Sequence, residues 1–345
     1  MKLKQLISLF LAMLIVLSAA GCASSSTTTS SPVSTTAATT TVKEEKIVLK
    51  FGHNYAIEHP AEQAGQHMAK LISEKTNGRI TIQTYPSQQL GASRELMTGL
   101  INGTVEMAIT STFGTIEQKI LMIEMPYLFK DWDHVKKFRA SEQADEILRL
   151  LDAQKVHAMG FWSVGFRSIG NRKVEVKNPS DLKGLLIRSF ENKMLTDTLT
   201  ALGVNVTVLP FGEVYVALQN GAIDGEENPF TNTYTMKFNE VEKYKTETRH
   251  MMNFDILAVS QKLWDSLSDA DKKIVEEVAV AGTEKYNELI VLAEETYKQK
   301  LIDEGMKITP IEDYTPWIEM VKPVYEKWEP IFGKELIEKI RALGW

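Results

Sequence analysis

The chain has 345 residues, with 39 lysines and arginines against 45 aspartates and glutamates and a formal net charge of −6. Setting aside Lys2 and Lys4 at the extreme N-terminus leaves about −8, which argues against nucleic acid as a partner. Cys22 is the only cysteine, so disulfides and thiolate metal sites are excluded for the body of the chain and its stability must come from burial.

Lys2 and Lys4 precede an apolar run from Leu6 to Leu17, followed by Ser18-Ala19-Ala20-Gly21-Cys22. The run is shorter than the roughly 20 residues of a spanning helix and fits a secretory signal with small residues at its cleavage site, so export is expected. The residues before Cys22 resemble the lipobox of bacterial lipoproteins, although Ala19 stands where leucine is usual and Leu17 lies two residues further back. That resemblance implies a signal peptide over 1–21 and a diacylglycerol anchor on Cys22. The alternative is an ordinary signal with a chance cysteine, which leaves an unpaired exported thiol unexplained. Residues 22–45 are expected to be a linker. Within it, 23–41 are almost wholly Ser, Thr and Ala, with no aromatic residue and no charge, a composition that buries too little to order itself.

From Lys46 strands alternate with helices, an α/β pattern. Ile47 to Gly52 alternates as a strand, a helix is expected from near Pro60 to Thr76 with its stop at Asn77-Gly78, and Arg79 to Tyr85 reads as a strand. Further helix and strand pairs are expected at 93–102 with 105–110, at 133–151 with 156–161, and at 192–203 with 205–209. Leu100-Ile101-Asn102-Gly103-Thr104-Val105-Glu106 is echoed by Leu218-Gln219-Asn220-Gly221-Ala222-Ile223-Asp224. Asn-Gly is good helix-stop chemistry, so the echo reflects either that chemistry or two lobes of similar build. From Ser268 to Glu304, Val275, Ala279, Gly282, Tyr286, Ile290, Ala293, Tyr297 and Leu301 recur at three and four. The spacing predicts a helix of about 50 Å, long enough to serve two lobes as a common spine.

Catalytic signatures are few. No Gly-x-Gly-x-x-Gly, P-loop or Gly-x-Ser-x-Gly occurs, and His53, His59 and His67 are spaced by six and eight, which does not place them on one helical face. Neither a metal nor a cofactor is expected. Arginine is scarce, nine in all, and two interrupt apolar strand-like runs: Arg167 in Phe161–Ile169 and Arg188 in Leu185–Phe190. A buried guanidinium needs an anion, either an internal Asp or Glu or a ligand carboxylate held bidentately. Asp224-Gly225-Glu226-Glu227-Asn228-Pro229 adds a sharp turn that presents Asn228 as donor and acceptor, or else a satisfied loop amide.

Asp181-Leu182-Lys183-Gly184 leading to Arg188, then Ala201-Leu202-Gly203, Phe211-Gly212-Glu213, Leu218-Gln219-Asn220-Gly221 and Glu226-Glu227-Asn228-Pro229, together resemble a TRAP-transporter solute-binding protein of the DctP type. Phe51-Gly52-His53-Asn54, Gln89-Leu90-Gly91 and Met125-Pro126-Tyr127-Leu128 extend the resemblance over nearly all of 46–340. It implies a periplasmic-binding-protein-like fold of two α/β lobes, each a sheet flanked by helices, with a long helix spanning both. Lobe I is expected at 46–164 and 254–293, lobe II at 165–253 and 294–345.

By the same resemblance the ligand is a small organic acid, a sugar acid or C4-dicarboxylate, handed to TRAP permease subunits; a monomer with no enzymatic activity is expected. Arg188 corresponds to the carboxylate-binding arginine, Arg167 to a second contact, Asn228 to the asparagine of the Glu-Asn-Pro turn, Phe211 to a wall and Asn54 to a first-strand contact. Sialic-acid-binding members carry an acid and an arginine where this chain has Ser111 and Gly114, which counts against sialic acid. Glu191 or Asn192 would meet ligand hydroxyls, favouring a sugar acid, unless they are a solvated first helical turn; Arg94 and Glu95 would line the opposite wall. Two further readings remain open on the sequence: a ligand-sensing partner of a membrane kinase, and an exported enzyme acting on a similar acid.

Overall fold

The computed structural model describes residues 46–345, so the expected signal peptide, linker and Cys22 lie outside the described residues. Its elements in chain order are β1 (Ile47–Gly52), α1 (Pro60–Lys75), β2 (Ile80–Tyr85), α2 (Ser93–Asn102), β3 (Met107–Thr110), α3 (Trp132–Arg139) and α4 (Glu142–Arg149). There follow β4 (Val156–Asn171), β5 (Leu186–Ser189), α5 (Lys193–Ala201), β6 (Asn205–Val208), α6 (Val214–Gln219), β7 (Gly225–Asn228) and α7 (Phe230–Thr235). The remainder is β8 (Tyr244–Ser260), α8 (Gln261–Ser266), α9 (Asp269–Asp303), β9 (Lys307–Thr309), α10 (Thr315–Met320), α11 (Lys322–Phe332) and α12 (Lys334–Ala342). Among the described residues no helix is long and apolar enough to cross a membrane.

Local chemistry sets several boundaries. The His59 ring accepts the Ala61 N–H at the start of α1, where Pro60 has no N–H to lose, and Gly78 takes the left-handed turn beyond its end (φ 77°). The single helix expected over 133–151 is two helices. Asp131 caps α3, and Ser141 caps α4 just after Ala140 ends the first.

The strand order is β2-β1-β3-β8-β4-β7-β5-β6, with β9 on β8. Pairing is parallel at both flanks, β1 with β2 and β3 and β5 with β6 and β7, and antiparallel where β4 and β8 run together through the centre. The order read from either edge is the same pattern, and the Asn-Gly echo falls on it. Gly103 before β3 and Gly221 before β7 take φ 71° and 73°, and each strand that follows lies between a long central strand and a parallel flanking strand.

Alternate residues of the central strands serve opposite faces, as the two-residue period requires. Ile109, Trp162 and Leu257 pack toward α1 and α9, whereas Ala108, Phe161 and Ile256 join the apolar cluster that also takes in α2, α4, α11 and α12. The 35 residues of α9 make it about 52 Å long at about 1.5 Å per residue. Ser268 caps its start and Gly305 (φ 93°) ends it. Along its length it meets α1, β4 and α7. Glu294 accepts the N–H groups of Phe230 and Thr231 at the start of α7, and Asn287 bonds the backbone of β4 at Ser163 N and Phe161 O.

The β4–β8 ladder shifts register between Ser163 and Gly165, opposite Phe254 and Asn253. Gly165 has φ 137°, and a Cβ there would stand 2.8 Å from the Pro229 ring, so the bulge needs glycine. Its extra residue changes which face the following side chains serve, and Arg167 comes two residues later.

Candidate functional site

The parallel strands of both flanks point their carboxyl ends at one cavity of about 220 Å³. Asn54 follows β1, Ser111 follows β3, Phe190 and Glu191 follow β5, Leu209 to Phe211 follow β6, and Asn228 ends β7. Crevices at strand carboxyl ends are the usual ligand sites of α/β sheets. The floor comes from the crossing strands, with Arg167 from β4 and Asn253 and Asp255 from β8.

Arg188 is 1% exposed, and its Nε and Nη2 donate to the Leu209 carbonyl at 2.9 and 2.8 Å. Among the described residues no carboxylate lies within ion-pair distance of it. Burial pulls its pKa down to about 10, although Glu227 opposes the shift. The Phe211 ring lies 5.7 Å from the guanidinium carbon. A buried cation with its fork half-used by a neutral carbonyl, on a cavity wall, is built to take an anion.

Arg167 is different. It is buried and pairs with the Glu227 carboxylate, whose Oε1 accepts from Nη2 at 2.7 Å. It also donates to Asn253 Oδ1 at 3.1 Å and Asn228 Oδ1 at 3.0 Å. Burial works against both charges, yet their mutual attraction prevails: the pKa of Arg167 is raised and that of Glu227 lowered. The internal-pair alternative therefore holds for Arg167, which still forms part of the cavity floor.

The network runs on in both directions. His59, kept neutral by burial with a pKa of about 3, accepts the Ala61 N–H on Nδ1 and so donates from Nε2 to Asn232 Oδ1 at 3.2 Å. Asn232 in turn donates to Asn228 Oδ1 at 3.0 Å, and Asn228 donates to Glu226. On the far side Asn253 donates to Glu124 at 2.6 Å, a carboxyl that burial raises to about 7. Asn228 is thus a node between Arg167 and Asn232 as well as a cavity wall.

Of the residues expected from sequence, Arg188, Arg167, Asn228, Asn54, Phe211 and Glu95 line the one cavity, Glu95 on an exposed rim. Asn192 does not. Its Oδ1 accepts the Leu195 N–H at 2.9 Å as the cap of α5, and its Nδ2 donates to Glu124, so the side chain points under the cavity. Its neighbour Glu191 does reach the cavity, where it pairs with Arg94 from α2 across the mouth, Nε to Oε2 at 2.9 Å.

Tyr55, Asn232, Asn253 and Asp255 were not foreseen. Asp255 is 3% exposed and accepts from the Tyr55 hydroxyl at 2.7 Å. Burial raises its pKa to about 6 against the opposing effects of Tyr55, Arg167 and Ser111. A signal did exist: Asn253 and Asp255 alternate with Phe254 and Ile256 in an otherwise apolar run, the same break in pattern that singled out the two arginines.

A family model described as bacterial extracellular solute-binding protein, family 7 (DctP), matches residues 51–330. Among curated relatives, the C4-dicarboxylate-binding periplasmic protein DctP of Vibrio cholerae is 32% identical over 307 residues, covering 86% of this chain and 91% of that protein. Among solved structures, a TRAP periplasmic solute-binding protein of Polaromonas bound to D-erythronate superposes with a TM-score of 0.84 at 28% identity, over 86% of this chain and 99% of that one. One from Shewanella oneidensis with bound succinate gives 0.84 at 26% identity, over 87% and 100%.

Proposed function

The chain belongs to the bacterial extracellular solute-binding proteins of family 7, and on that premise we propose that its cavity captures a small organic acid outside the cytoplasm and delivers it to a TRAP membrane permease. The observation that carries this reading is Arg188: buried, without an acidic partner among the described residues, and facing a cavity between strand ends of both flanks. A carboxylate there gains charge-assisted bonds of about 1.5–3 kcal/mol each.

The relatives carry acids of both kinds, a sugar acid in one structure and a C4-dicarboxylate in another. Nothing in this role calls for turnover, and the receptor returns its ligand unchanged. We place lobe I at 46–164 with 254–293 and lobe II at 165–253 with 294–345, acting as a monomer. The register shift at Ser163 and Gly165 opposite Asn253 and Phe254 falls at that division and supports a hinge there. The Arg94–Glu191 pair across the mouth supports closure over the ligand. A lipid on Cys22 would keep the receptor at its membrane while residues 22–45 let it move between capture and permease.

Closure follows only if the ligand contacts both lobes better in the closed state. Small-angle scattering should therefore show a smaller radius of gyration once the tightest-binding acid saturates the protein. An unchanged radius would overturn the cleft-closure reading.

A further inference from the structure

The polar groups that line the cavity are of two kinds. Arg188 supplies a cation that has no acidic partner among the described residues. Arg167 is neutralised by Glu227, with Nε and Nη2 bonded to Glu227, Nη2 also to Asn228, and Nη1 bonded to Asn253. The remaining lining arginine, Arg94, is paired with Glu191 at the mouth.

Other lining residues offer acceptors. The Asp255 carboxylate has about four lone-pair positions; Tyr55 fills one on Oδ2 and Ser111 also bonds the carboxylate, which leaves others open. Asn54 donates to Ser93 while its own Oδ1 has no partner among the described residues. Glu227 and Glu226 favour the charged form of Arg188, and Arg167 favours that of Asp255.

Resting on the reading of the cavity as a carboxylate site, we propose that the ligand is a hydroxylated monocarboxylate, with its acid group on Arg188 and hydroxyls donated to Asp255 and Asn54. A hydroxyl brings a hydrogen that the open lone pairs of both acceptors can take. A second carboxylate brings only lone pairs and a negative charge, and would face Asp255 with no unpaired cation to receive it. Asp255 is then the residue that selects against dicarboxylates.

Calorimetry with aldonates of four to six carbons, set against succinate and glutarate, tests this. The wild-type protein should bind the best aldonate roughly ten- to a hundredfold more tightly than either dicarboxylate, the range of one hydrogen bond to a charged acceptor. Asp255→Asn, close in shape, should shrink that ratio about tenfold or more by weakening the aldonate and relieving the repulsion of succinate. Tighter wild-type binding of a dicarboxylate, or an equal loss for both classes in Asp255→Asn, would overturn the proposal. In that event the carboxylate reading still stands if binding depends on Arg188; if neither class binds, both readings fall together.

Discussion

Arg188→Met should weaken binding of the tightest-binding carboxylate by more than roughly a hundredfold in calorimetry. Removing one partner of a buried charged pair costs about 3–5 kcal/mol, at about 1.4 kcal/mol per factor of ten. Methionine keeps much of the stem that packs beside Phe211 but has no fork. The ligand-free protein should unfold in urea at the same concentration as the wild type or a higher one, because the variant removes a buried guanidinium whose only hydrogen-bond acceptor among the described residues is the Leu209 carbonyl. A structural arginine would behave in the opposite way, with stability lost and affinity changed little. Arg188→Lys, which keeps charge without bidentate geometry, should fall between the two.

Glu227→Ala should destabilise the ligand-free protein by about 3–5 kcal/mol, seen as a lower urea midpoint. The substitution leaves Arg167, 2% exposed, without its counter-charge on the floor of the cavity. His250, whose Nε2 stands 3.4 Å from the same carboxylate, loses its neighbour too. The double variant Arg167→Met, Glu227→Leu should cost less than Glu227→Ala alone, since no charge is then buried unpaired. Additive losses would mean that the pair does not act as a unit. The contrast with Arg188 is the point: two arginines chosen by one sequence criterion have different partners, and only three-dimensional proximity tells which has a protein anion.

The flanking units could be read directly because their boundaries have local causes. Ile47–Gly52 alternates, Asn77-Gly78 and Gly305 stop helices, and Ser268 starts one, each a short-range signal. The central strand β8 could not. Its first half, Tyr244 to His250, looks like a polar surface segment, yet Lys245, Thr246, Thr248 and His250 are all fully buried. Lys245 donates to Ser168 O and Glu226, Thr246 to Val176 O, and Thr248 bonds His250. The partners of Lys245 and Thr246 come from other parts of the chain, so these polar side chains are buried without the hydrophobic period that marks a buried strand.

The site divides in the same way. Arg188 and Arg167 stood out as charges in apolar runs, and the Glu-Asn-Pro turn as unusual local geometry. Asn192 differs because an asparagine ahead of a helix serves equally as ligand contact or cap, and here its Oδ1 accepts the Leu195 N–H as a cap. Tyr55 and Asp255 are 200 residues apart in sequence and meet only because β1 and β8 lie on either side of β3.

The central claim is that the cavity holds an acid by its carboxylate on Arg188, and a crystal structure of the complex with the tightest-binding acid tests it most directly. The account predicts the ligand carboxylate within about 2.7–2.9 Å of the Arg188 guanidinium nitrogens, with Phe211 beside it. A carboxylate bound elsewhere in the cavity, with Arg188 still bonded only to the Leu209 carbonyl, would contradict it.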